Sequence, residues 1–183
     1  MSDQSVAGEP RSAVVGVVLA GGKSSRMGGI DKGGLMLAGR SMVAHVIDRF
    51  RPQVARLVLN APLDRYVDVA LPHAPDPVAG QPGPLTGLLA GMHWAQAHAP
   101  QAEFVATVPV DTPFLPDDVV ARFLAAFTLP EHFQEKWTSV FRPDMRQNKD
   151  IETIDIAYAV SPTGPQPVFV VARIALAETL ERD

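Results

Sequence analysis

The sequence predicts an α/β sandwich built on a mostly parallel sheet, and two observations carry that prediction. Residues 13–20, AVVGVVLA, form a continuous Val-rich apolar run, which is typical of a strand buried on both faces. Strand and helix patterns then alternate along the chain, the order that lays parallel strands side by side with helices packed against them. The length of 183 residues suits one domain, which we place at residues 13–183.

The first half of the chain offers one helix and a second strand. Ser41 stands where it would cap a helix. RLVLN, Arg56–Asn60, predicts the strand, and residues 63–71 predict a helical turn. The prolines of residues 73–84 predict a loop, because proline interrupts both helices and sheet ladders. The core face of the helix would consist of apolar residues at helical spacing: Val43, Val46, Ile47 and Phe50.

The second half continues the alternation. A helix is predicted to begin at Pro84. A third strand, residues 103–111, ends on Asp111, and a helix over 116–127 follows with two aspartates in its first turn. Residues 153–160 and 167–174 predict two more strands, and residues 175–183 predict the start of a final helix. The core face of the Pro84 helix would consist of Leu85, Leu88, Leu89, Met92 and Ala95.

Composition excludes several classes of protein. The formal net charge of −4 provides no global basic field for nucleic acid, and the lack of cysteine excludes disulfides and thiolate metal sites. No apolar run reaches the ~18 residues that a membrane span needs, and the polar N-terminus lacks the apolar core of a signal peptide. We therefore expect a disordered tail over residues 1–12 and a soluble, cytoplasmic protein that binds neither nucleic acid nor membranes.

The segment LAGGKSSRMGGIDKG, residues 19–33, indicates a phosphate-binding loop. Five glycines follow closely on the first strand, so backbone N–H groups could approach a phosphate chain. The basic side chains of Lys23, Arg26 and Lys32 would neutralise the phosphate charge. Sites of this kind lie outside the carboxyl ends of parallel strands.

Three other interpretations of this loop agree less well with its residues. The P-loop pattern is nearly present, but it is one residue too long, and Gly16 would lie inside the strand. The dinucleotide fingerprint G-x-G-x-x-G is absent, and Asn60 rather than an acidic residue ends the second strand. The loop could also be a flexible connector, although three basic residues favour a ligand.

Asp111 predicts a magnesium site. The fold would bring it to the sheet edge where the glycine loop lies, and its carboxylate would repel a polyphosphate unless a divalent cation lay between them. Proteins hold Mg²⁺ by one or two carboxylates together with phosphate oxygens. Alternatively, Asp111 caps a helix or a turn, and Asp31 pairs with a loop lysine. The five histidines form no ligand pattern, and we interpret them as surface or packing residues.

Four segments in this order resemble the molybdenum cofactor guanylyltransferases of the nucleotidyltransferase superfamily. They are LAGGKSSRMGGIDKG, VLNAP, DPVAGQPGPLTGLLAG and VPVDTPFLP, spread over about residues 14–127. The resemblance implies a Rossmann-like, three-layer α/β sandwich with helices on both faces of a mostly parallel sheet. It also implies transfer of GMP from GTP to the terminal phosphate of molybdopterin, with release of pyrophosphate and formation of the guanine dinucleotide cofactor.

The resemblance further implies a set of site residues. Asp111 would bind Mg²⁺, and Lys32, with Arg26 or Lys23 nearby, would stabilise negative charge as pyrophosphate leaves. The nucleophile is a phosphate oxygen that is already ionised, so no general base is required. The implied partners are GTP and molybdopterin, with molybdoenzymes or their chaperones as candidate protein partners. The nucleotide-binding residues would be Leu19, Ala20, Gly21, Gly22, Lys32, Asn60, Asp76, Gly83 and Asp111.

Other functions would use much of the same fold. A cytidylyltransferase acting on the same cofactor would share the phosphate chemistry, and a sugar-phosphate nucleotidyltransferase is a further alternative. A non-catalytic adaptor that binds nucleotide or cofactor and delivers it to a molybdoenzyme represents another class. After residue 127 the resemblance weakens, and the N-x-N-T-P segment that the family carries near its C-terminus does not occur here. We expect the C-terminal third of the domain to be divergent or incomplete.

Overall fold

The predicted strands and the first two predicted helices are present in the computed structural model, which describes residues 13–21, 31–77, 84–127, 151–160 and 167–176. A 3-10 turn, Arg51–Gln53, follows the first helix. The elements are β1 (Val14–Leu19), β2 (Met36–Leu37), β3 (Arg40–Ser41), α1 (Met42–Phe50), β4 (Arg56–Asn60), α2 (Pro84–His98), β5 (Phe104–Pro109), α3 (Val119–Phe127), β6 (Ile151–Val160) and β7 (Pro167–Leu176).

The main sheet is mostly parallel, as predicted. Its five described strands lie in the order β4-β1-β5-β7-β6. β1 pairs in parallel with both β4 and β5, whereas β7 pairs antiparallel with both β5 and β6. Four of the five strands therefore point the same way, and β7 alone is reversed. β2 and β3 form a separate hairpin whose turn residues, Ala38 and Gly39, both have positive φ.

Alternation along β1 divides the core into two layers, one on each face of the sheet. Val14 and Val18 join the cluster that contains residues of α1 and α3. Val15 and Val17 join the cluster that contains residues of α2. All four valines are fully buried, so the continuous apolar run is that of a strand covered on both sides. The predicted three-layer sandwich, with helices on both faces, is confirmed.

The predicted core face of α1 is confirmed, and Ser41 is its N-cap residue, although its side chain makes no capping hydrogen bond. All four predicted core residues of this helix are buried. On α2, Leu88, Met92 and Ala95 are buried as predicted, whereas Leu89 is only half-buried. The predicted core residue Leu85 has a side chain outside the described part of the chain.

Two glycines of α2 are needed for close packing against β1, although glycine has a low helix propensity. A Cβ atom placed on Gly91 would collide with Cγ2 of Val17, and one on Gly87 would collide with Cδ2 of Leu19. The helix axis therefore lies close to β1, and glycine is the residue that permits this distance.

The third helix begins later than predicted, at Val119 rather than near residue 116. The Gln53 amide explains the difference. Its Nε2 donates to the Pro116 carbonyl at 2.8 Å, and its Oε1 accepts from the Val120 N–H at 3.1 Å. The side chain thus stands in the place of the helical bond between Val120 and Pro116, and the two aspartates lie in a turn ahead of α3.

Residues 63–71 form turns and bends rather than the predicted helical turn. Tyr66 has a φ of 55°, a left-handed conformation that a right-handed helix does not admit. Of the predicted final helix, Ala175 and Leu176 belong to β7, and residues 177–183 lie outside the described part, as does the predicted tail over residues 1–12. No helix among the described residues is long and apolar enough to cross a membrane.

Candidate functional site

Three parallel strands end at one edge of the sheet, where the predicted site residues were expected to meet. In the strand register, Leu19 lies opposite Asn60 of β4 and opposite Pro109 of β5. Beyond the strands, the Ala20 N–H donates to the Asn60 carbonyl at 2.8 Å, and the Val110 N–H donates to the Leu19 carbonyl at 3.1 Å. The segment Leu19, Ala20 and Gly21 is therefore held between the ends of β4 and β5.

Lys32 and Asp111 meet at this edge, although 79 residues separate them in the sequence. The Lys32 Nζ lies 2.7 Å from Oδ2 of Asp111. The side chains are 37% and 38% exposed, respectively, so both charges remain accessible to solvent and to a ligand. The structure brings together the predicted phosphate-binding lysine and the predicted metal-binding carboxylate.

The turn that carries Lys32 is anchored on both sides. The Gly33 carbonyl accepts from the Val43 N–H at 3.0 Å, and the Leu35 carbonyl accepts from the Met42 N–H at 2.8 Å, which fixes the turn to the start of α1. The Gly33 N–H donates to Oδ1 of Asp31 at 3.2 Å. Asp31 is therefore a turn residue. One interpretation paired Asp31 with a loop lysine, but Lys32 pairs with Asp111 instead.

Tyr66 is a residue of this site that sequence reasoning missed. Its hydroxyl donates to Oδ1 of Asp31. Burial raises the pKa of the Tyr66 hydroxyl above its ordinary value, and the hydrogen bond to Asp31 raises it further. The hydroxyl therefore remains a donor throughout the neutral range. No local pattern marks Tyr66, because its partner lies 35 residues earlier in the chain.

Asn60 and Asp76 form a second polar group at the same edge. The Asn60 side chain is only 4% exposed. Its Nδ2 donates to the Ala74 carbonyl and to Oδ1 of Asp76, each at 2.9 Å. Asp76 itself is exposed, so Asn60 orients a carboxylate that faces solvent. A Cβ on Gly21 would lie 3.5 Å from Oδ1 of Asn60 and 3.6 Å from Oδ2 of Asp76, which places this group beside the end of β1.

A short extension of the sheet brings Asp76 to this position. His73 forms an isolated parallel bridge with Leu59. The Leu59 N–H donates to the Pro72 carbonyl and the Ala74 N–H donates to the Leu59 carbonyl, both at 2.9 Å. The chain therefore runs beside β4 toward the carboxyl edge before it reaches Asp76.

Several predicted site residues lie outside the described part of the chain. They are Gly22, Lys23, Arg26 and Gly83, and for them the predictions stay predictions. Within the described residues, no group of three or more His, Asp or Glu side chains is arranged to hold a metal ion. His45 bonds to the Leu37 carbonyl and His98 stacks on Trp94; His132 lies outside the described residues.

Comparison with known proteins places these observations in a family. The family model described as the MobA-like NTP transferase domain matches residues 16–182. The chain belongs to that family. The match continues past residue 127, where the recognisable motifs end, and includes the hairpin formed by β6 and β7.

Individual relatives of this MobA-like chain are named molybdenum cofactor guanylyltransferases. A molybdenum cofactor guanylyltransferase of Rhodopseudomonas palustris is 53% identical over 112 residues, which cover 60% of this chain and 53% of the relative. This chain thus spans about half the length of that relative. A molybdenum cofactor guanylyltransferase of Burkholderia ambifaria is 37% identical over 182 residues, covering 93% of this chain and 76% of the relative.

A solved structure shares the fold of this MobA-like domain. It is that of molybdopterin-guanine dinucleotide biosynthesis protein A from Archaeoglobus fulgidus, with a TM-score of 0.52 and 17% sequence identity. The alignment covers 87% of this chain and 67% of that protein. At this identity the likeness concerns the fold alone, and it agrees with the predicted α/β sandwich.

Proposed function

We propose that this protein transfers GMP from GTP to the terminal phosphate of molybdopterin and releases pyrophosphate. The observation that carries the proposal is the meeting of Lys32 and Asp111 beside Leu19–Gly21 at the carboxyl edge of the sheet, in a chain of the MobA-like family. The Lys32 ammonium, which would neutralise phosphate, and the Asp111 carboxylate, which would bind a metal, lie at the edge where open α/β sheets bind ligands.

The proposed reaction is a displacement at the α-phosphorus of GTP. A terminal phosphate oxygen of molybdopterin forms the new bond to that phosphorus. The bond from the α-phosphorus to the oxygen that bridges to the β-phosphate breaks, and pyrophosphate leaves with the electron pair. The attacking oxygen is ionised at neutral pH, so positioning and charge stabilisation supply the catalysis.

Lys32 is the residue that we assign to charge stabilisation. An exposed ion pair contributes only about 0–1 kcal/mol, so phosphate oxygens can replace the Asp111 carboxylate as the partner of the Lys32 ammonium. The ammonium would then neutralise the negative charge that grows on the leaving pyrophosphate. Arg26 and Lys23 are proposed to assist from the glycine loop.

Asp111 is the residue that we assign to Mg²⁺. The fit rests on its donor chemistry, because a single accessible carboxylate beside a phosphate site suits a cation that takes its remaining ligands from phosphate oxygens and water. When bound, Mg²⁺ supplies charge neutralisation at the phosphate chain. Asp111 would hold the ion and thereby allow a polyphosphate to lie next to a carboxylate.

Asn60, Asp76 and Gly21 are proposed to bind the nucleoside part of GTP. The exposed Asp76 carboxylate offers an acceptor to a ligand, and the buried Asn60 amide, which donates to its Oδ1, fixes its orientation. The Gly21 backbone lies beside them without a side chain in the way. Such acceptors can bind ribose hydroxyls or the N–H donors of a guanine base.

The test is pyrophosphate release by the purified chain, measured with molybdopterin, Mg²⁺ and one nucleoside triphosphate at a time. We expect release with GTP that requires both molybdopterin and Mg²⁺. Faster release with CTP would replace the guanylyl assignment by a cytidylyl one with the same phosphate chemistry. Tight nucleotide binding in calorimetry without any release would indicate a binding adaptor and contradict catalysis.

A further inference from the structure

We infer that Tyr66 is a positioning residue, which holds the turn of residues 31–35 so that Lys32 reaches Asp111. The inference rests on the proposed function for its kinetic consequence, but its structural content stands on the contacts around Asp31. Neither the family match nor the names of the relatives assigns a role to Tyr66.

The path from Tyr66 to Lys32 consists of two hydrogen bonds that share one atom. The Tyr66 hydroxyl and the Gly33 N–H both donate to Oδ1 of Asp31. Lys32 lies between Asp31 and Gly33 in the chain, so both of its peptide neighbours are fixed by this oxygen. Loss of the hydroxyl would remove one of the two hydrogen bonds that hold Asp31 within this turn.

Close packing of Gly33 makes the same point independently. A Cβ atom on Gly33 would collide with the Tyr66 hydroxyl and would lie 2.8 Å from Cγ2 of Val110. The Gly33 backbone is therefore wedged between Tyr66 and Val110, the residue that immediately precedes Asp111. Tyr66 thus packs the Lys32 turn against the segment that carries Asp111. The lack of space for a Cβ also explains why the DKG motif has glycine at residue 33.

The backbone of Tyr66 is held in an unusual conformation. Its φ of 55° is left-handed, a conformation that is strained for a non-glycine residue unless its surroundings compensate. The compensation comes from the packing of the Tyr66 ring against the core on the α1 face and from the bond to Asp31. Phenylalanine at this position would keep the ring contacts and lose only the hydroxyl.

The experiment compares Lys32 in the unliganded wild type, Tyr66→Phe, Asp31→Ala and the double variant by NMR. The two Hε protons of Lys32 are expected to be inequivalent in the wild type, because the contact with Asp111 restricts the Lys32 side chain even though the pair adds little stability. They are expected to become equivalent in Tyr66→Phe and in Asp31→Ala. The double variant should resemble Asp31→Ala, because both single changes remove the same bond.

Val67→Ala is the matched control, since Val67 is the next residue in the same loop and is 71% exposed. It should leave the Lys32 signals unchanged. If the two Lys32 Hε protons stay inequivalent in Tyr66→Phe, the inference is overturned. It is also overturned if these protons become equivalent in Val67→Ala. If Tyr66→Phe fails to fold, Asp31→Ala tests the inference instead. Inequivalent Lys32 Hε protons in Asp31→Ala, which lacks the oxygen that accepts from Tyr66, would contradict the inference.

Kinetics separate positioning from a purely structural role of Tyr66, because only positioning lowers kcat while leaving KM nearly unchanged. In the pyrophosphate assay, Tyr66→Phe should lower kcat roughly tenfold, because a misplaced charge costs transition-state stabilisation. KM for GTP should change by less than about threefold. A rise in KM at constant kcat would contradict positioning for the chemical step. If the wild type releases no pyrophosphate, the proposed function fails, whereas the NMR comparison still decides the role of Tyr66.

Discussion

The two flanks of β1 hold their polar groups at the carboxyl edge in different ways. On the β5 flank, defined by Lys32 and Asp111, a single ion pair joins two side chains that are each more than one-third exposed. On the β4 flank, defined by Asn60 and Asp76, a buried amide donates both of its protons, to the Ala74 carbonyl and to the Asp76 carboxylate. Exposed ion pairs contribute about 0–1 kcal/mol, whereas leaving a buried polar group without a partner costs about 1–3 kcal/mol.

The difference indicates a division of labour. Under the proposed function, the β5 flank would exchange its internal partner for phosphate and metal at little cost, which suits groups that change partners during a reaction. The β4 flank is hydrogen-bonded in advance, and under the same proposal it would recognise a part of the nucleotide that does not react. Four substitutions would break or sharpen this comparison, and they follow from the largest expected effect to the smallest.

Asp111→Ala should abolish turnover, with a loss of at least about a thousandfold, because it removes the proposed metal ligand. Pyrophosphate release in excess Mg²⁺ measures the effect. Asp48→Ala is the matched control, since Asp48 forms an exposed ion pair of the same 2.7 Å length with Arg40. Near-wild-type turnover of Asp111→Ala would remove the metal assignment.

Lys32→Ala should lower turnover about a hundredfold, in line with the loss of one stabilising charge at a transition state. It should also strengthen the binding of free Mn²⁺ by a small factor, because Asp111 loses its internal cation. Titration of bound Mn²⁺ by electron paramagnetic resonance checks the second effect. Arg40→Ala should change neither quantity, and unaltered turnover of Lys32→Ala would exclude Lys32 from the site.

Asn60→Asp should lower the free energy of unfolding by about 2–3 kcal/mol at neutral pH, since it places a buried carboxylate against the Ala74 carbonyl and the Asp76 carboxylate. Urea unfolding measures the loss, which should shrink when acid protonates the introduced group. Gln53→Glu changes another buried amide and should destabilise the fold without weakening GTP binding. An unchanged unfolding midpoint for Asn60→Asp would show that the β4 flank is not preformed.

Tyr66→Phe should alter the alkaline stability of the protein. Burial, followed by the Asp31 hydrogen bond, raises the pKa of the Tyr66 hydroxyl, while Arg65 and the Gly33 N–H oppose the rise. A pKa raised in the folded state contributes stability below the ordinary value of about 10, and this contribution is lost as pH rises beyond that value. The stability difference between wild type and Tyr66→Phe should therefore narrow above about pH 10 in urea unfolding. A difference that stays constant to higher pH would contradict the raised pKa.

Much of the fold follows from local patterns. The Val-rich run of β1 predicted a doubly covered strand because a parallel sheet buries both faces. The spacing of Val43, Val46, Ile47 and Phe50 predicted the buried face of α1, which the structure confirms. Two local predictions were wrong at residues whose partners are remote in sequence. Gln53 displaced the start of α3 through bonds that span more than sixty residues, and the left-handed Tyr66 excluded a helical turn.

The sequence by itself determined the alternation of strands and helices, the apolar faces and the residue types of the candidate site, because these depend on local spacing and on motifs. Only the tertiary structure decided which of those residues meet. Lys32 pairs with Asp111 because β1 and β5 are adjacent and end together. Asn60 holds Asp76 because the chain runs beside β4 after its turn. Tyr66 reaches Asp31 only because two loops pack together. A hydrogen bond between residues so far apart in the chain leaves no trace in local periodicity, so the sequence could not predict it.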